Sequence, residues 1–582
     1  MALWVLYNIN AAGSTAAFFI KLSQVYNAAF FFTIINNVFL SEPVTFKFLL
    51  MKFLLYLFFI VLIAFYSCSD NNATEVNVPV DTTITPANAI TDLYIDSAVL
   101  EAYIKSDGKD DENASLIRNF YKSRNYQYAW FTSSGMAQQA YAFWNLHNHF
   151  ISYSGDSSLH NDKLHQSMDF LMGLDSTQLP TKEMMRETEI QLTDHFFEFA
   201  HYAYNGKIDP EEFKWYIPRK KVDALSLLDS LITHKGKDYD EWAPVNNLYK
   251  LIKNNLLFYY ELRKNNSLPV IGNIEKALRK GDSAEIIPSI KKYLSAVKDL
   301  PNNDSTTLFD AELEKAVKQF QKRFGLKQDG VIGKDFARQM NVGIQTRIEQ
   351  MLVNLERMRW LPPRPQGTFI VANIPSFKLV IMNDNKKRFE TDIVVGKEGT
   401  NTVIFTDSLK YVVFSPYWNV PSSIVKNEIA PAINRNPNYI AQHNMEITGY
   451  SNGLPIVRQK PGGSNALGLV KFIFPNNYNI YFHDTPSKYL FEREKRAFSH
   501  GCIRVRDAEK MANFLLQNQP EWTPEKINAA MHAGEEKWVS LNTTLPVFIT
   551  YFTVWVDENN LLHFRDDIYG HDKKMAEHLF EN

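Results

Sequence analysis

Cysteine is nearly absent: Cys68 and Cys502 are the two among 582 residues. That excludes a disulfide framework and a structural zinc site built from several thiolates. An excess of one charge sign is also missing. The 62 Lys and Arg against 64 Asp and Glu leave a net charge of −2. No basic face shows in that balance, so nucleic acid is not expected as a partner. Apolar runs long enough to span a bilayer are missing too. The run Phe53–Tyr66 has 14 residues, against the roughly 20 that a spanning helix needs. A polytopic membrane protein is thereby excluded. What is present is ordinary globular composition, 45% hydrophobic and 22% charged. The chain is long enough for three or four domains with large cores.

Residues 51–67 read as a secretory signal: Met51 and Lys52, the apolar run, then small Ser67 before Cys68. A Cys at that point resembles the end of a bacterial lipoprotein signal. The resemblance makes Cys68 the lipid-bearing residue, a lipid anchor to the membrane, and residues 68–93 a polar tether. Residues 1–50 precede a complete signal and read as a mis-assigned N-terminal extension. The competing reading is a native membrane segment over Ala28–Leu40. Ser69 stands where inner-membrane lipoproteins often carry Asp. A periplasm-facing, outer-membrane-anchored protein is therefore expected.

Residues 94–305 carry mostly helical periodicity and read as a scaffold domain. Asn247–Arg263 repeats apolar residues at three and four spacings, and so does Leu192–Tyr204, with Thr193 as N-cap and Gly206 as stop. His147, His149, His160, His165, His195, His201 and His234 fall here without metal-ligand spacing, and read as surface or satisfied histidines. Residues 306–345 form a compact helical unit. Leu313, Ala316, Val317, Phe320 and Phe324 share one face, Gly325 ends that helix, Asp329-Gly330 turns, and Asp335 caps a helix over Phe336–Met340. The run from Gly325 to Gly333 resembles the small peptidoglycan-binding domain of cell-wall enzymes; the alternative is a helical hairpin that spaces its neighbours. Residues 346–366 read as a linker helix, Arg347–Trp360, stopped by Pro362-Pro363-Arg364-Pro365. The pattern then turns to short β-branched and aromatic segments, Thr368–Ile374, Lys378–Met382, Glu390–Gly396, Tyr411–Pro416, Asn479–His483 and Val547–Val556. Within them Asp507–Leu516 is a helix with Asp507 as N-cap. The fold class is thus α+β and multidomain, with a β-rich domain over 367–556 and a final strand and tail over 557–582.

The chemistry concentrates in Tyr481–Val505, which holds His483, Ser499-His500-Gly501-Cys502 and Arg504. A nucleophilic thiolate needs a base or an electropositive neighbour. His483 ends one strand and Cys502 begins another, so a loop can bring them together. Gly501 permits close backbone approach and frees an N–H for an oxyanion. Arg504 lies two positions beyond Cys502, on the same side of a strand, suited to a substrate carboxylate. Two other readings stand beside this one: an inert buried thiol next to a satisfied histidine, and a metal site of His483, His500 and Cys502.

A His, then 15 residues, then Ser-His-Gly-Cys resembles the signature of the L,D-transpeptidase family. Val394–Lys397 and Pro416–Pro421 resemble strands of the same domain. The order of scaffold, peptidoglycan-binding and catalytic parts resembles the large periplasmic subgroup. The resemblance implies Cys502 as nucleophile and His483 as general base, with no metal or cofactor. It implies Ser499 and His500 as orienting residues, the Gly501 and Cys502 N–H groups as oxyanion donors, and Arg504, Tyr481 and Trp418 as substrate-binding residues. It implies a peptidoglycan stem tetrapeptide as substrate, a 3→3 cross-link as product, and acylation by carbapenem-type inhibitors. It also implies a lid inserted at about 420–478. The alternatives are an L,D-carboxypeptidase that trims the same stems, a variant that attaches a protein amine, and a non-catalytic wall-binding lipoprotein.

Overall fold

The computed structural model describes residues 91–580, apart from 107–110, 176–177, 219–220, 240–242, 303, 362–366 and 385. The signal, Cys68, most of the tether and the proline stop at 362–365 lie outside the described residues. No helix among the described residues is long and apolar enough to cross a membrane.

The scaffold is helical. Its central helix, Lys182–Ala200, is capped by Thr181, whose hydroxyl accepts the Met184 N–H at 3.1 Å. Thr193 is therefore mid-helix and caps nothing. Its hydroxyl is held by the Tyr121 hydroxyl at 2.7 Å and the Trp130 indole N–H at 2.8 Å. The helix passes into a π turn, His201–Asn205, and ends at Gly206 with φ of 86°. A Cβ there would meet Glu356 Oε1 at 2.5 Å. Among the scaffold histidines His147 and His195 are buried, and His147 stacks on Trp144 at 4.7 Å. No group of three or more His, Cys, Asp or Glu among the described residues is arranged to hold a metal.

The helix Ala311–Arg323 buries Leu313, Ala316, Val317 and Phe320, as the periodicity predicts, with Phe324 buried at its end. Asp310 caps it, accepting the Leu313 N–H at 2.8 Å. The next helix begins at Lys334, with Gly333 at the N-cap. Asp335 lies in its first turn instead of capping it, because the chain is still extended only as far as Gly333. An earlier helix, Ile287–Ala296, packs against Ala311–Arg323.

The helix expected as a linker is the hub of the assembly. Ile344–Arg359 buries Ile348, Met351, Val353, Asn354, Glu356, Arg357 and Met358. Glu356 accepts the N–H groups of Lys207 and Ile208 at 2.6 and 3.0 Å and pairs with Arg359 at 2.5 Å. Arg357 pairs with Asp572 of the C-terminal helix His571–Phe580 at 2.5 Å.

The C-terminal third is a sheet that closes on itself. From Val470–Ile473 it runs through Phe482–His483, Ile503–Val505, Lys386–Gly396, Lys378–Asn383, Thr368–Asn373 and Lys537–Thr550 to Ile404–Phe414, which pairs back with Val470–Ile473. The scaffold adds an edge to it: Trp215–Tyr216 runs parallel to Ile404–Phe405. The strand expected over Val547–Val556 is two strands. Lys537–Thr550 stays in the sheet. Val554–Val556 leaves it to form a hairpin with Leu562–Phe564, because Asn354 captures both the N–H and the hydroxyl of Thr553 at 3.0 and 2.7 Å. The insertion is shorter than expected. It comprises short helical pieces and the small sheet of Trp418–Asn419, Leu454–Gln459 and Met445–Ser451, on a separate core of Val420, Val425, Ile429 and Val457. Val470–Ile473, placed in the lid by sequence, belongs to the main sheet: all four residues pair with Tyr411–Phe414, and Lys471 and Phe472 pair with Phe482–His483 as well.

Candidate active site

His483 sits on a two-residue strand between two others. Across one edge it faces Lys471; across the other it runs parallel to Ile503–Val505 and lies level with Arg504. The same register puts Tyr481 opposite Cys502, and the Ile503 N–H donates to the Tyr481 carbonyl at 3.2 Å. Residues level with each other, and residues two apart, share a side of a sheet. Tyr481, His483, Cys502 and Arg504 therefore project from one face.

The buried His483 ring lies with Nδ1 2.5 Å from the Asp484 carbonyl. Burial first, then the Arg504 charge, pulls its pKa down to about 4. Asp484, unmarked by sequence reading, fixes this loop. It accepts the Leu469 N–H at 2.9 Å and pairs with Lys488 at 2.5 Å. Gly468, with φ of 65°, passes so close that a Cβ would meet Asp484 Oδ2 at 2.3 Å.

Cys502 Sγ lies 3.5 Å from the Asn479 carbonyl, and Tyr481 stands opposite it on the neighbouring strand. Burial pushes the thiol up, against the lowering pull of Tyr481 and Arg504. At neutral pH the resting pair is thus a thiol and a neutral imidazole. The two lie on a diagonal, with Tyr481 directly opposite Cys502.

The loop Ser499–Cys502 is shaped by Ser499. Its hydroxyl donates to the Cys502 carbonyl at 2.6 Å and accepts the Gly501 N–H at 3.1 Å. The Gly501 N–H is therefore engaged, which corrects its reading as a free oxyanion donor. Gly501 has φ of 116°, a conformation glycine takes without penalty. Two distant residues brace the loop. The Thr402 hydroxyl donates to the Gly501 carbonyl at 2.8 Å and accepts the Gly396 N–H at 2.9 Å; the Tyr569 hydroxyl donates to the Gly396 carbonyl at 2.5 Å. Neither has a sequence signal, since each reaches the loop only through the closed sheet.

His500 is exposed, and its Nε2 meets Glu428 of the insertion at 3.0 Å. The buried Nε of Arg504 has no hydrogen-bond partner among the described residues. Trp418 lies on the insertion, its ring packed on that unit's own core. A cleft of about 2390 Å³ opens elsewhere, between the scaffold, the small helical unit and the outer face of Thr368–Asn373, and its lining includes neither Cys502 nor His483.

Three stretches match known domain families: residues 367–534 the L,D-transpeptidase catalytic domain (YkuD), 115–256 the scaffold domain, and 283–340 the "Putative peptidoglycan binding domain". A curated Haemophilus influenzae protein, named "Putative L,D-transpeptidase", is 31% identical over 242 residues, 39% of this chain and 49% of that one. The chain thus spans about half the length of that relative. Among solved structures, an L,D-transpeptidase from Stackebrandtia nassauensis is 15% identical, covering 47% of this chain and 94% of its own, with a TM-score of 0.20. L,D-transpeptidase 3 from Mycobacterium tuberculosis, in complex with a faropenem-derived adduct, is 14% identical over 32% of this chain and 62% of its own, with a TM-score of 0.18. Scores this low leave the assignment resting on the sequence matches.

Proposed function

We propose that this chain, which carries an L,D-transpeptidase catalytic domain with scaffold and peptidoglycan-binding domains before it, forms 3→3 cross-links in peptidoglycan. The observation that carries the reading is the shared face of Cys502, His483, Tyr481 and Arg504. One thiol, one neutral base, one phenol and one guanidinium, whose buried Nε has no partner among the described residues, converge there.

The donor is a stem tetrapeptide. Its carboxylate is held by Arg504, whose fork suits a planar anion. Neutral His483 takes the thiol proton, directly or through one water, as sulfur attacks the carbonyl of the third residue. Catalytic contacts of this kind tighten when substrate is bound. The Cys502 N–H faces the developing oxyanion. The carbon–nitrogen bond to D-Ala breaks, the proton on His483 passes to that leaving amine, and a thioester remains. The side-chain amine of a second stem then attacks the thioester carbonyl, the carbon–sulfur bond breaks, and the thiol is restored. Bond energy is kept in the thioester, so no nucleotide is consumed. The small helical unit holds wall polymer near the site. Cys68 carries a lipid that tethers the protein on the periplasmic side of the outer membrane. Carbapenem-type inhibitors acylate the same sulfur.

The test is muropeptide analysis of tetrapeptide-bearing sacculi incubated with the protein, beside Cys502→Ala. New 3→3 dimers that vanish in the variant are expected. Tripeptides without dimers would replace this reading with an L,D-carboxypeptidase, and no product in either sample would leave wall binding as the activity.

A further inference from the structure

Glu428 belongs to the insertion, on the turn Val425–Ile429, whose two end residues are buried in the insertion's own core. Its side chain is 55% exposed and reaches out to the nucleophile loop, where Oε1 meets His500 Nε2 at 3.0 Å. Its Oε2 has no partner among the described residues. His500 is two residues from Cys502, a chain distance of at most about 7 Å. A carboxylate is thus held on the flank of the loop Ser499–Cys502, while the cation Arg504 stands on the strand that follows it. The two charges divide the site. A donor that ends in a carboxylate is drawn to Arg504 and repelled by Glu428. A second substrate that presents a primary ammonium is drawn to Glu428.

We infer that Glu428 recognises the acceptor amine and so sets the balance between amine and water at the thioester. The inference rests on the function proposed above. The ammonium docks on Glu428, with His500 fixing the carboxylate. One proton is lost to solvent. The neutral nitrogen attacks the thioester carbonyl, the amide bond forms and the carbon–sulfur bond breaks. The second amine proton passes through His483 to the leaving sulfur. Water carries no charge for the carboxylate to attract, so docking on Glu428 favours the amine over water.

The experiment compares wild type, Glu428→Gln and Glu428→Asp as full-length proteins on tetrapeptide-bearing sacculi. It measures the ratio of 3→3 dimers to tripeptides, beside the rate of Cys502 acylation by faropenem, which needs no acceptor. Glu428→Gln is expected to lower the ratio about tenfold, the scale of one charge-assisted hydrogen bond, and to lower acylation far less. Glu428→Asp keeps the charge and is expected to recover part of the ratio. A ratio unmoved by Glu428→Gln, or dimers, tripeptides and acylation falling together, overturns the inference and leaves the transpeptidase standing. Wild type that makes tripeptides alone overturns it as well. Wild type that makes neither product and is not acylated overturns both.

Discussion

Tyr481 stands opposite Cys502 on the neighbouring parallel strand and pulls the thiol pKa down against burial. The register that sets them opposite each other puts His483 level with Arg504 instead of the thiol. Tyr481 thereby favours the thiolate as it forms. Tyr481→Phe is expected to slow Cys502 acylation by about tenfold, the worth of one hydrogen bond to a charged group. Time-resolved intact mass with faropenem reads it.

The pH profile follows from His483. Its folded pKa of about 4 lies below the ordinary value near 6.5. A depressed pKa keeps the base neutral, and therefore active, as pH falls through the range where a free histidine would protonate. Acylation is expected to hold level from neutral pH to about pH 5 and to fall only as pH approaches 4. On the alkaline side the thiol, raised by burial, ionises above the usual cysteine range. A rate that halves near pH 6.5 would show an ordinary imidazole.

Thr402 ties Gly396 to Gly501, and so ties the strand Lys386–Gly396 to the nucleophile loop. Thr402→Val keeps the shape and removes both bonds. The buried Gly396 N–H and Gly501 carbonyl would be left unpaired, at about 1–3 kcal/mol each. The expected outcome is a lowered melting temperature together with acylation slowed by about tenfold or more, read by calorimetry and intact mass.

Glu356 is buried and binds two backbone N–H groups of the scaffold together with Arg359. Glu356→Ala leaves a buried guanidinium without its counter-charge, at about 3–5 kcal/mol. The scaffold is expected to loosen first. Limited proteolysis should cut within 201–217 in the variant at concentrations that spare the wild type.

The nucleophile loop was legible because its chemistry lies in one short stretch. His483, Ser499, Gly501, Cys502 and Arg504 are all within Tyr481–Val505, and alternation along two strands is enough to place them on one face. Local helix faces were legible for the same reason, as Leu313, Val317 and Phe320 illustrate. What failed to read was set by tertiary contact. Thr193 has the right residue type for a cap, yet Tyr121 and Trp130 claim its hydroxyl inside a longer helix. Val470–Ile473 looks like part of an insertion until the sheet closes around it. Thr402 and Tyr569 reach Gly396 from far along the chain, and no spacing rule connects them. Glu428 showed no signal, since a lone carboxylate on a surface turn is common.

The segment Thr553–Asp572 also bears on how the fold assembles. Arg323 in the small helical unit donates to the Leu562 carbonyl, Asn354 in the hub helix donates to the Thr553 hydroxyl, and Arg357 donates to Asp572. Each of these partners lies 199 to 239 residues further along the chain. The helical units therefore leave the ribosome well before the segment that fastens them. A chain cut before Thr553 lacks all three partners, even though Cys502 and His483 are present. The segment thus works as a late clasp, and the helical units reach their full stability only once it has closed.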